Sequence, residues 1–420
     1  MYRKLVISTA VIVLCFSCAT DQYRQVDNAV SSGRYDHAAE IIEESKKDIY
    51  RDAVLYYLDK GILEHFAGNY NDSIDLLQNG EEAIYDAFTK SVTQELASFI
   101  LNDNTKDYSG EDYEDIYLNA FNALNYYHKD DIAESLVEIR RMNEKLEYLA
   151  TKYDQLTTSL EQEAIQNGEA IPTGSAPSSH FANSALARYL GMLFYRADGK
   201  KDDARIDYEQ LKMAFIQAPE VYTTPAPSSI DEELDIPVGK ARLNVLCFAG
   251  LSPVKEERTE RISLSNTYIK ITLPFIQERS SEVNRVSLVF NAGQTITLDL
   301  LENISSVAQA TFAEKVPLIY IKTILRTVTK SAVSGVLDKE GYSEASKLMQ
   351  FFTEVSEQAD TRLSRYFPSK AYIGGITLEP GVYSFSINYY ASNGRLIQSE
   401  KKTMDIQAHK LNLVEAICLK

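Results

Sequence analysis

The sequence predicts an α+β protein with two domains, a helical array followed by a body built around β-strands. From residue 23 to about residue 215, apolar residues recur at the spacing of amphipathic helices, whereas beyond residue 238 they alternate with polar residues. Residues 216–238 lie between these patterns, are rich in Pro, Ser and Thr, and have the composition of a linker. A chain of 420 residues is long enough for two such domains, since a domain typically has ~100–200 residues.

The amino terminus has the pattern of a bacterial lipoprotein signal peptide. Residues 1–4 form a short basic start, and residues 5–16 form an apolar run that is shorter than the ~20 residues of a membrane-spanning helix. The run ends at Ser17 followed by Cys18, which resembles the lipobox in which a cysteine is acylated and becomes the mature amino terminus. We therefore predict a signal peptide over residues 1–17 and lipidation of Cys18. An ordinary signal peptide followed by a chance cysteine is the alternative.

A lipid on Cys18 would hold the protein at a membrane of the bacterial cell envelope. Each buried methylene contributes ~0.8 kcal/mol to membrane binding, so several acyl chains would anchor the mature domains almost permanently. Ala19 and Thr20 lack the acidic side chain that retains some lipoproteins at the inner membrane, which favours the outer membrane. The sequence leaves open whether the protein faces the periplasm or the cell surface.

Two segments of the helical half repeat one spacing of small and aromatic residues. In each segment, a glycine is followed two positions later by a tyrosine and three positions after that by a small residue. This spacing is typical of the centre of the ~34-residue tetratricopeptide helix pair, where small residues allow two helices to approach closely. Two looser copies follow along the chain. The residues assigned to repeat packing are Gly33, Tyr35, Ala38, Gly61, Gly68, Tyr70, Ser73, Ala133, Gly191 and Ala204.

These copies predict a tetratricopeptide-like (TPR-like) α-helical repeat domain over residues 18–215. An irregular helical bundle is the alternative, because a glycine and a tyrosine between amphipathic helices also arise by chance. Stacked repeats of this kind form a curved solenoid with a concave surface. Function would then follow from a binding groove and not from a reactive residue.

The carboxy-terminal part predicts an antiparallel β-sandwich-like domain over residues 239–420. Asn393 and Gly394 between two strand patterns are a strong hairpin signal, because both turn residues must adopt positive φ. A helical stretch at about residues 301–366, broken near residues 335–342, predicts an inserted helical hairpin. The segments with strand patterns are 242–248, 268–273, 285–290, 382–390, 395–406 and 409–418.

Several short segments, spread over nearly the whole mature chain, also resemble one known group of proteins. They are residues 102–104, 108–115, 123–126, 137–141, 185–190, 250–255 and 359–362. These stretches resemble a family of uncharacterised bacterial lipoproteins with TPR-like helices. The resemblance implies an envelope location and a non-enzymatic body, and it brings no ligand and no catalytic residue.

No catalytic motif, metal motif or cofactor motif is found in the sequence. None of the five histidines has another histidine three or four positions away, and the predicted mature chain from residue 18 onwards has no glycine-rich phosphate loop, nucleophile elbow or Cys-x-x-Cys. We therefore predict no catalytic residue, no metal site and no cofactor. Cys247 and Cys418 both fall in predicted strands and could form a disulfide in an oxidising envelope, or remain buried free thiols.

Charge and composition narrow the class of partner. The chain has 43 Lys and Arg against 60 Asp and Glu, a net charge of −17, which argues against nucleic acid as a partner. We predict a lipid-anchored envelope protein whose TPR-like groove binds or scaffolds another, unidentified envelope protein. One alternative is an envelope-glycan or cell-wall enzyme that uses carboxylates of the carboxy-terminal domain, which would need two carboxyl groups ~5–9.5 Å apart in a cleft. Another is a ligand-binding accessory protein of a transporter, with an enclosed apolar cavity.

Overall fold

The structure, a computed structural model, describes residues 23–47, 50–95, 107–166, 181–264, 267–339 and 359–420. Helices come first and strands dominate the later part of the chain, so the predicted α+β class and the order of its two parts are confirmed. The predicted signal peptide, Cys18 and residues 340–358 of the predicted helical insertion lie outside the described residues. The predicted bounds of that insertion are wrong at both ends, because residues 301–303 belong to a strand and residues 359–366 form no helix. None of the helices in the described ranges is both long enough and apolar enough to cross a bilayer.

Consecutive helices of the first part pack against each other along the chain, from the second helix to the eighth. The helices are α1 (residues 23–31), α2 (Tyr35–Glu44), α3 (Ala53–Ala67), α4 (Tyr70–Glu95), α5 (Asp112–His128), α6 (Ile132–Gln166), α7 (Ala185–Ala197) and α8 (Lys201–Gln217). Each helix from α2 to α8 therefore contacts its neighbours in sequence within this range, as expected for an array of helical hairpins.

One turn geometry recurs before α2, α4, α6 and α8. The residue two positions before each helix has a positive φ, which reverses the chain after the preceding helix and is easiest for glycine. The fourth residue of each of these helices is small or short and is buried. The positive-φ residues are Gly33 (71°), Gly68 (83°), Asp130 (59°) and Gly199 (75°). The buried residues are Ala38, Ser73, Ser135 and Ala204.

Two predicted packing glycines lie where helices approach closely. A Cβ on Gly61 of α3 would lie 2.8 Å from Cδ2 of Leu77 in α4, and a Cβ on Gly191 of α7 would lie 2.2 Å from Oδ2 of Asp207 in α8. Ser73 adds a hydrogen bond across the first of these contacts, from its Oγ to the carbonyl oxygen of Gly61 (2.8 Å). A larger side chain at Gly61 would require Leu77 to move, and one at Gly191 would require Asp207 to move.

Other predicted packing residues have different surroundings. No atom lies within 4 Å of a Cβ built on Gly33 or Gly68, so these glycines are needed for their backbone conformation and not for close packing. The assignment of Ala133 is wrong, because this residue is exposed and Ser135, two positions later, is the buried one. In the third copy of the repeat, the buried short residue is Ser135 and not Ala133. Ser135 is the fourth residue of α6, which begins at Ile132.

The strands of the second part form two four-stranded sheets and a separate two-stranded ribbon. They are β1 (Ala241–Leu251), β2 (Val254–Leu264), β3 (Thr267–Gln277), β4 (Arg285–Phe290), β5 (Thr295–Thr297), β6 (Asp299–Asn303), β7 (Pro368–Leu378), β8 (Gly381–Tyr390), β9 (Leu396–Ile406) and β10 (Asn412–Cys418). The first sheet has the order β10-β1-β7-β6, the second sheet has the order β5-β4-β8-β9, and β2 pairs with β3. The prediction of purely antiparallel pairing is wrong at one place, because β1 and β10 are parallel.

The first sheet lies between the helices and the second sheet. Leu246 and Phe248 of β1 belong to a hydrophobic core shared with the helices. Val245 and Cys247, which point to the opposite face, belong to a core shared with β4 and β8 of the second sheet. Ten consecutive residues of β1 are buried for this reason, as expected for a strand covered on both faces. A long helix, α9 (Ile304–Lys339), follows β6 and packs against α5, α6 and β3.

The segment predicted to be a linker is packed against both parts of the chain. Val221, Tyr222 and Ile230 are buried in the core shared by helices and sheet. Glu233 is 1% exposed and accepts hydrogen bonds from Nε of Arg242 (3.0 Å) and from Nδ2 of Asn244 (2.8 Å). Glu232 and Glu233 thus tie this connection to β1, so it is not the separate linker that its composition predicts.

Cys247 and Cys418 are both free, buried thiols, so the disulfide alternative is not supported. They lie on the adjacent strands β1 and β10, where Cys247 is opposite Ala416 and Cys418 is opposite Ala249. Burial raises the pKa of both thiols, that of Cys418 to about 11. Both therefore carry their protons at neutral pH and behave as small apolar side chains.

Candidate functional site

A large open cleft lies among the helices and is the main candidate binding surface, which we call the groove. Residues of α4, α6 and α9 line it together with the first turn of α5, and its volume is about 1010 Å³. This volume is at the upper end of the ~300–1,000 Å³ found for small-molecule pockets. The groove therefore has room for a stretch of polypeptide.

The first turn of α5 carries acidic residues that the groove's lysines neutralise. Nζ of Lys152 lies 2.7 Å from Oδ1 of Asp112, and Nζ of Lys145 lies 2.7 Å from Oδ1 of Asp115. Burial raises the pKa of Asp112, but the ammonium groups of Lys152 and Lys315 outweigh this and hold the pKa below its usual value. Carboxylates are also favoured here by the dipole of α5. The charged groups at this end of the groove thus already form ion pairs with each other.

Exposed aromatic residues mark the rim of the groove. The side chain of Tyr85 on α4 is 69% exposed and that of Tyr148 on α6 is 55% exposed. Inside the groove, Nζ of Lys152 lies 4.4 Å from the centroid of the Phe88 ring, a cation–π contact. Large exposed rings beside a concave surface are typical of sites that bury aromatic side chains against a partner.

A buried carboxylate lies next to the groove without opening into it. Glu114 in α5 accepts hydrogen bonds from the backbone N–H of Glu111 (2.7 Å) and from the hydroxyl of Tyr108 (2.7 Å), and also from the N–H of Ser364. Burial raises its pKa to about 7. Because Glu114 is fully buried and both of its oxygens accept hydrogen bonds, it fastens the start of α5 to the segment before β7 and is not placed to exchange protons with a bound molecule.

A second polar cluster joins the helices to the first sheet. Glu415 on β10 lies between two histidines, with Nε2 of His65 (α3) 2.8 Å from its Oε1 and Nε2 of His128 (α5) 2.8 Å from its Oε2. Tyr70 stacks on His128, with ring centroids 4.4 Å apart and planes tilted by only 7°. These residues border a small pocket of about 350 Å³ between the helical turns and β9 and β10.

Hydrogen-bond directions fix the charge of His65. Oγ of Ser73 donates to the carbonyl of Gly61 and therefore accepts from Nδ2 of Asn125 (2.8 Å). Oδ1 of Asn125 then faces Nδ1 of His65 (2.7 Å), which must carry a proton. Nε2 of His65 also needs a proton if Glu415 is ionised. The direction of each bond thus makes His65 an imidazolium paired with a carboxylate.

The electrostatics of the pair agree with this assignment. Burial raises the pKa of Glu415, but the two neighbouring histidines outweigh this and hold the pKa well below its usual value. Burial lowers the pKa of His65, but the charge of Glu415 outweighs this and raises the pKa above its usual value of 6.5. Among the described residues, no group of three or more His, Cys, Asp or Glu side chains is arranged to hold a metal ion.

The predicted repeat residues and the histidine cluster meet in space. Gly68 and Tyr70 border the small pocket, and Ser73 belongs to the hydrogen-bond chain that ends at His65. His65 is close to Gly68 and Tyr70 in the chain, but Glu415 lies 350 positions after His65, so no sequence pattern joins the two. The available signals were a histidine within an apolar helix and a glutamate within an apolar strand, and neither signal names its partner.

No protein-family model matches this chain, and no curated protein is found to match it.

Proposed function

We propose that this chain is a lipid-anchored envelope protein, attached through Cys18, whose helical array binds or scaffolds another envelope protein in the groove. The observation that carries this proposal is the groove itself, an open cleft of about 1010 Å³ among helices. Tyr85 and Tyr148 leave apolar ring surface exposed at its rim. A polypeptide partner would bury these rings, which a small ligand in the interior would leave in water.

The proposal also includes a TPR-like fold for the helices, a β-sandwich for the strands and the resemblance to a lipoprotein family. Four helical hairpins with one turn geometry and one buried position support a TPR-like array, and side chains of both four-stranded sheets in one core support a β-sandwich. The resemblance to TPR-like lipoproteins, and with it the envelope location, belongs to the same proposal. The transporter-accessory alternative would use the pocket of about 350 Å³ beside His128 for a small ligand.

The anchor is tested by metabolic labelling. Radiolabelled palmitate should enter the wild-type protein and be absent from the Cys18→Ala variant, because acylation needs the thiol. A Cys247→Ala variant, which removes a buried thiol, is the control and should label like the wild type. Equal labelling of the Cys18→Ala variant would refute the lipoprotein part of the proposal.

The groove is tested by photocrosslinking in the cells that make the protein. Separate Tyr85→p-benzoylphenylalanine and Tyr148→p-benzoylphenylalanine variants should each form the same adduct with one other envelope protein, identified by mass spectrometry. Ile216 on α8 is 70% exposed, close to the 69% of Tyr85, and lies outside the groove, so Ile216→p-benzoylphenylalanine is the control. No adduct at either tyrosine position, or the same adduct at position 216, would contradict binding in the groove.

A further inference from the structure

We infer that the occupant of the groove is a cationic polypeptide segment, whose Lys or Arg side chains meet the rim and whose apolar side chains cover the tyrosines. This inference rests on the proposed function and adds the chemistry of the partner. The argument depends on which charges of the groove are already paired and which are not.

The basic groups deep in the groove are committed to acids of the same chain. Lys145 pairs with Glu81 (2.6 Å) as well as with Asp115, Lys152 pairs with Asp112, and Lys315 pairs with Glu111 (3.1 Å). An acidic partner would have to compete for ammonium groups that already have carboxylates within hydrogen-bond distance. The groove therefore offers little attraction to an anionic segment.

The rim has negative charge that is not neutralised within the described part of the chain. Glu82 and Asp86 on α4 and Glu144 on α6 are exposed. None of the three carboxyl groups has an ion pair or a hydrogen bond to a described residue. Glu82 and Asp86 are also four residues apart on one helix, a spacing at which like charges destabilise a helix until a cation lies between them.

Each wall of the groove combines an acid with an exposed ring. On α4, Tyr85 lies between Glu82 and Asp86 in sequence, and on α6, Tyr148 is one helical turn beyond Glu144. A lysine or arginine side chain satisfies both parts of such a wall, since its charge pairs with the carboxylate and also binds the face of an aromatic ring. The net charge of −17 would in addition steer a cationic partner towards the protein.

The full chain in non-ionic detergent can test this with two synthetic 14-residue peptides of equal length and apolar content. One carries lysines and the other carries glutamates at the same positions, and each contains one Trp. Because the chain itself has no Trp, the fluorescence of the peptide reports binding without background. The lysine peptide should bind the wild type and the glutamate peptide should not.

Two matched triple variants separate the groove from the general charge of the protein. The groove variant is Glu82→Gln/Asp86→Asn/Glu144→Gln, and the control is Glu44→Gln/Asp235→Asn/Glu209→Gln, which neutralises three exposed acids elsewhere. The lysine peptide should bind the control like the wild type and the groove variant about tenfold more weakly at physiological salt. Circular dichroism confirms that both variants are folded.

Equal binding of the lysine peptide to the two triple variants would overturn the inference, because attraction would then come from net charge alone. Binding of both peptides with equal affinity would overturn it as well. The proposed function fails separately, by loss of the position-specific photocrosslinks, which do not depend on the charge of the partner. Crosslinks at positions 85 and 148 without preference for the lysine peptide would leave the proposed function standing and refute the cationic partner.

Discussion

At the scale of single residues, the pair of His65 and Glu415 is a buried polar tie between the helices and the first sheet. Both groups are largely removed from water, with 1% of the His65 side chain and 9% of the Glu415 side chain exposed. A buried ion pair of this kind adds little stability over an apolar pair, but removing one partner leaves a buried charge uncompensated. The pair therefore makes the contact between α3 and β10 specific.

A Glu415→Gln variant should lower the free energy of unfolding by about 3 kcal/mol at pH 6, since His65 would lose its counter-charge. The raised pKa of His65 means that the pair's contribution is full below its unfolded pKa of 6.5 and is lost as pH rises through the folded pKa. The difference between wild type and variant should therefore shrink at pH 9. Urea unfolding at the two pH values measures this difference.

Glu400→Gln is the matched control for this measurement, because Glu400 on β9 borders the same pocket but is 36% exposed on its side chain. It should change the free energy of unfolding by less than about 1 kcal/mol, as for an exposed ion pair. A loss for Glu415→Gln that is no larger than the loss for Glu400→Gln would contradict a buried ion pair.

At the scale of elements, the start of α6 shows how helix packing depends on register. Ser135 is fully buried and donates its hydroxyl to the carbonyl of Asp131 (2.8 Å), whereas Ala133 is exposed. Ser135 occupies the same place in its helix as Ala38, Ser73 and Ala204. Only a short side chain fits where α6 lies against the helix before it.

Ser135→Leu should therefore destabilise the protein by about 1–3 kcal/mol, because a larger side chain must force α5 and α6 apart. Ala133→Leu introduces the same side chain two residues away and should change stability by less than about 0.5 kcal/mol. Chemical denaturation of the two variants gives the comparison. Equal losses, or a larger loss for Ala133→Leu, would show that the register of the third hairpin is the one expected from the sequence.

Strand β7 is one of the strands that the sequence patterns do not predict. Its residues 374 and 375 are both glycine, which weakens the strand pattern, yet β7 pairs with β1 over most of its length. A Cβ on Gly375 would lie 2.6 Å from Nη2 of Arg242, so this position must be glycine to leave room for a buried guanidinium. Packing against Arg242 requires glycine at position 375, and glycine has a low preference for strands. The local sequence therefore does not indicate that β7 is a strand.

The whole molecule contains several carboxyl groups that are buried without a full set of opposite charges. Burial raises the pKa of Asp59 to about 6 and that of Glu114 to about 7, and it also raises the pKa of Glu302. Glu302 accepts hydrogen bonds from Tyr117 and Tyr222 and from Ser184, so it joins β6 to α5, to α7 and to the connection before β1. These carboxyl groups therefore contribute most to the free energy of unfolding when they are protonated.

The free energy of unfolding should consequently fall by about 2–4 kcal/mol as pH rises from about 5 to about 8. Groups with a raised folded pKa contribute stability that is present below the unfolded values of 3.8 and 4.5 and lost as pH rises through about 6 and 7. Below pH ~4 stability should fall again, because Asp112 and Glu415 have lowered pKa values and lose their ion pairs on protonation. Denaturant unfolding from pH 3 to pH 9 should show this maximum.

The double variant Asp59→Asn/Glu114→Gln should be less stable at pH 5 and should lose most of the decline towards pH 8, since neither new side chain titrates. The exposed double variant Glu44→Gln/Asp235→Asn should keep the wild-type profile. A decline of equal size in both variants would assign the pH dependence to other groups.

The α+β class, the order of the two parts, the helix pairs around Gly33 and Gly68, and six of the strands could be predicted from the sequence, although these two glycines provide positive φ and not the close packing that the repeat pattern predicts. These features depend on local properties, namely the periodicity of apolar residues and the backbone freedom of glycine. A lipid anchor at Cys18 stays a prediction of the sequence alone.

The pairing of the strands, the contacts of the buried polar groups and the position of the groove could not be predicted from the sequence. The parallel pairing of β1 with β10, the anchoring of Glu233 and the contact of His65 with Glu415 each join residues whose local patterns carry no information about each other. The physical reason is that the cost of burying a charge is offset only by a partner brought close in space, and no local pattern specifies that partner. The groove likewise exists only where α4, α6 and α9 come together.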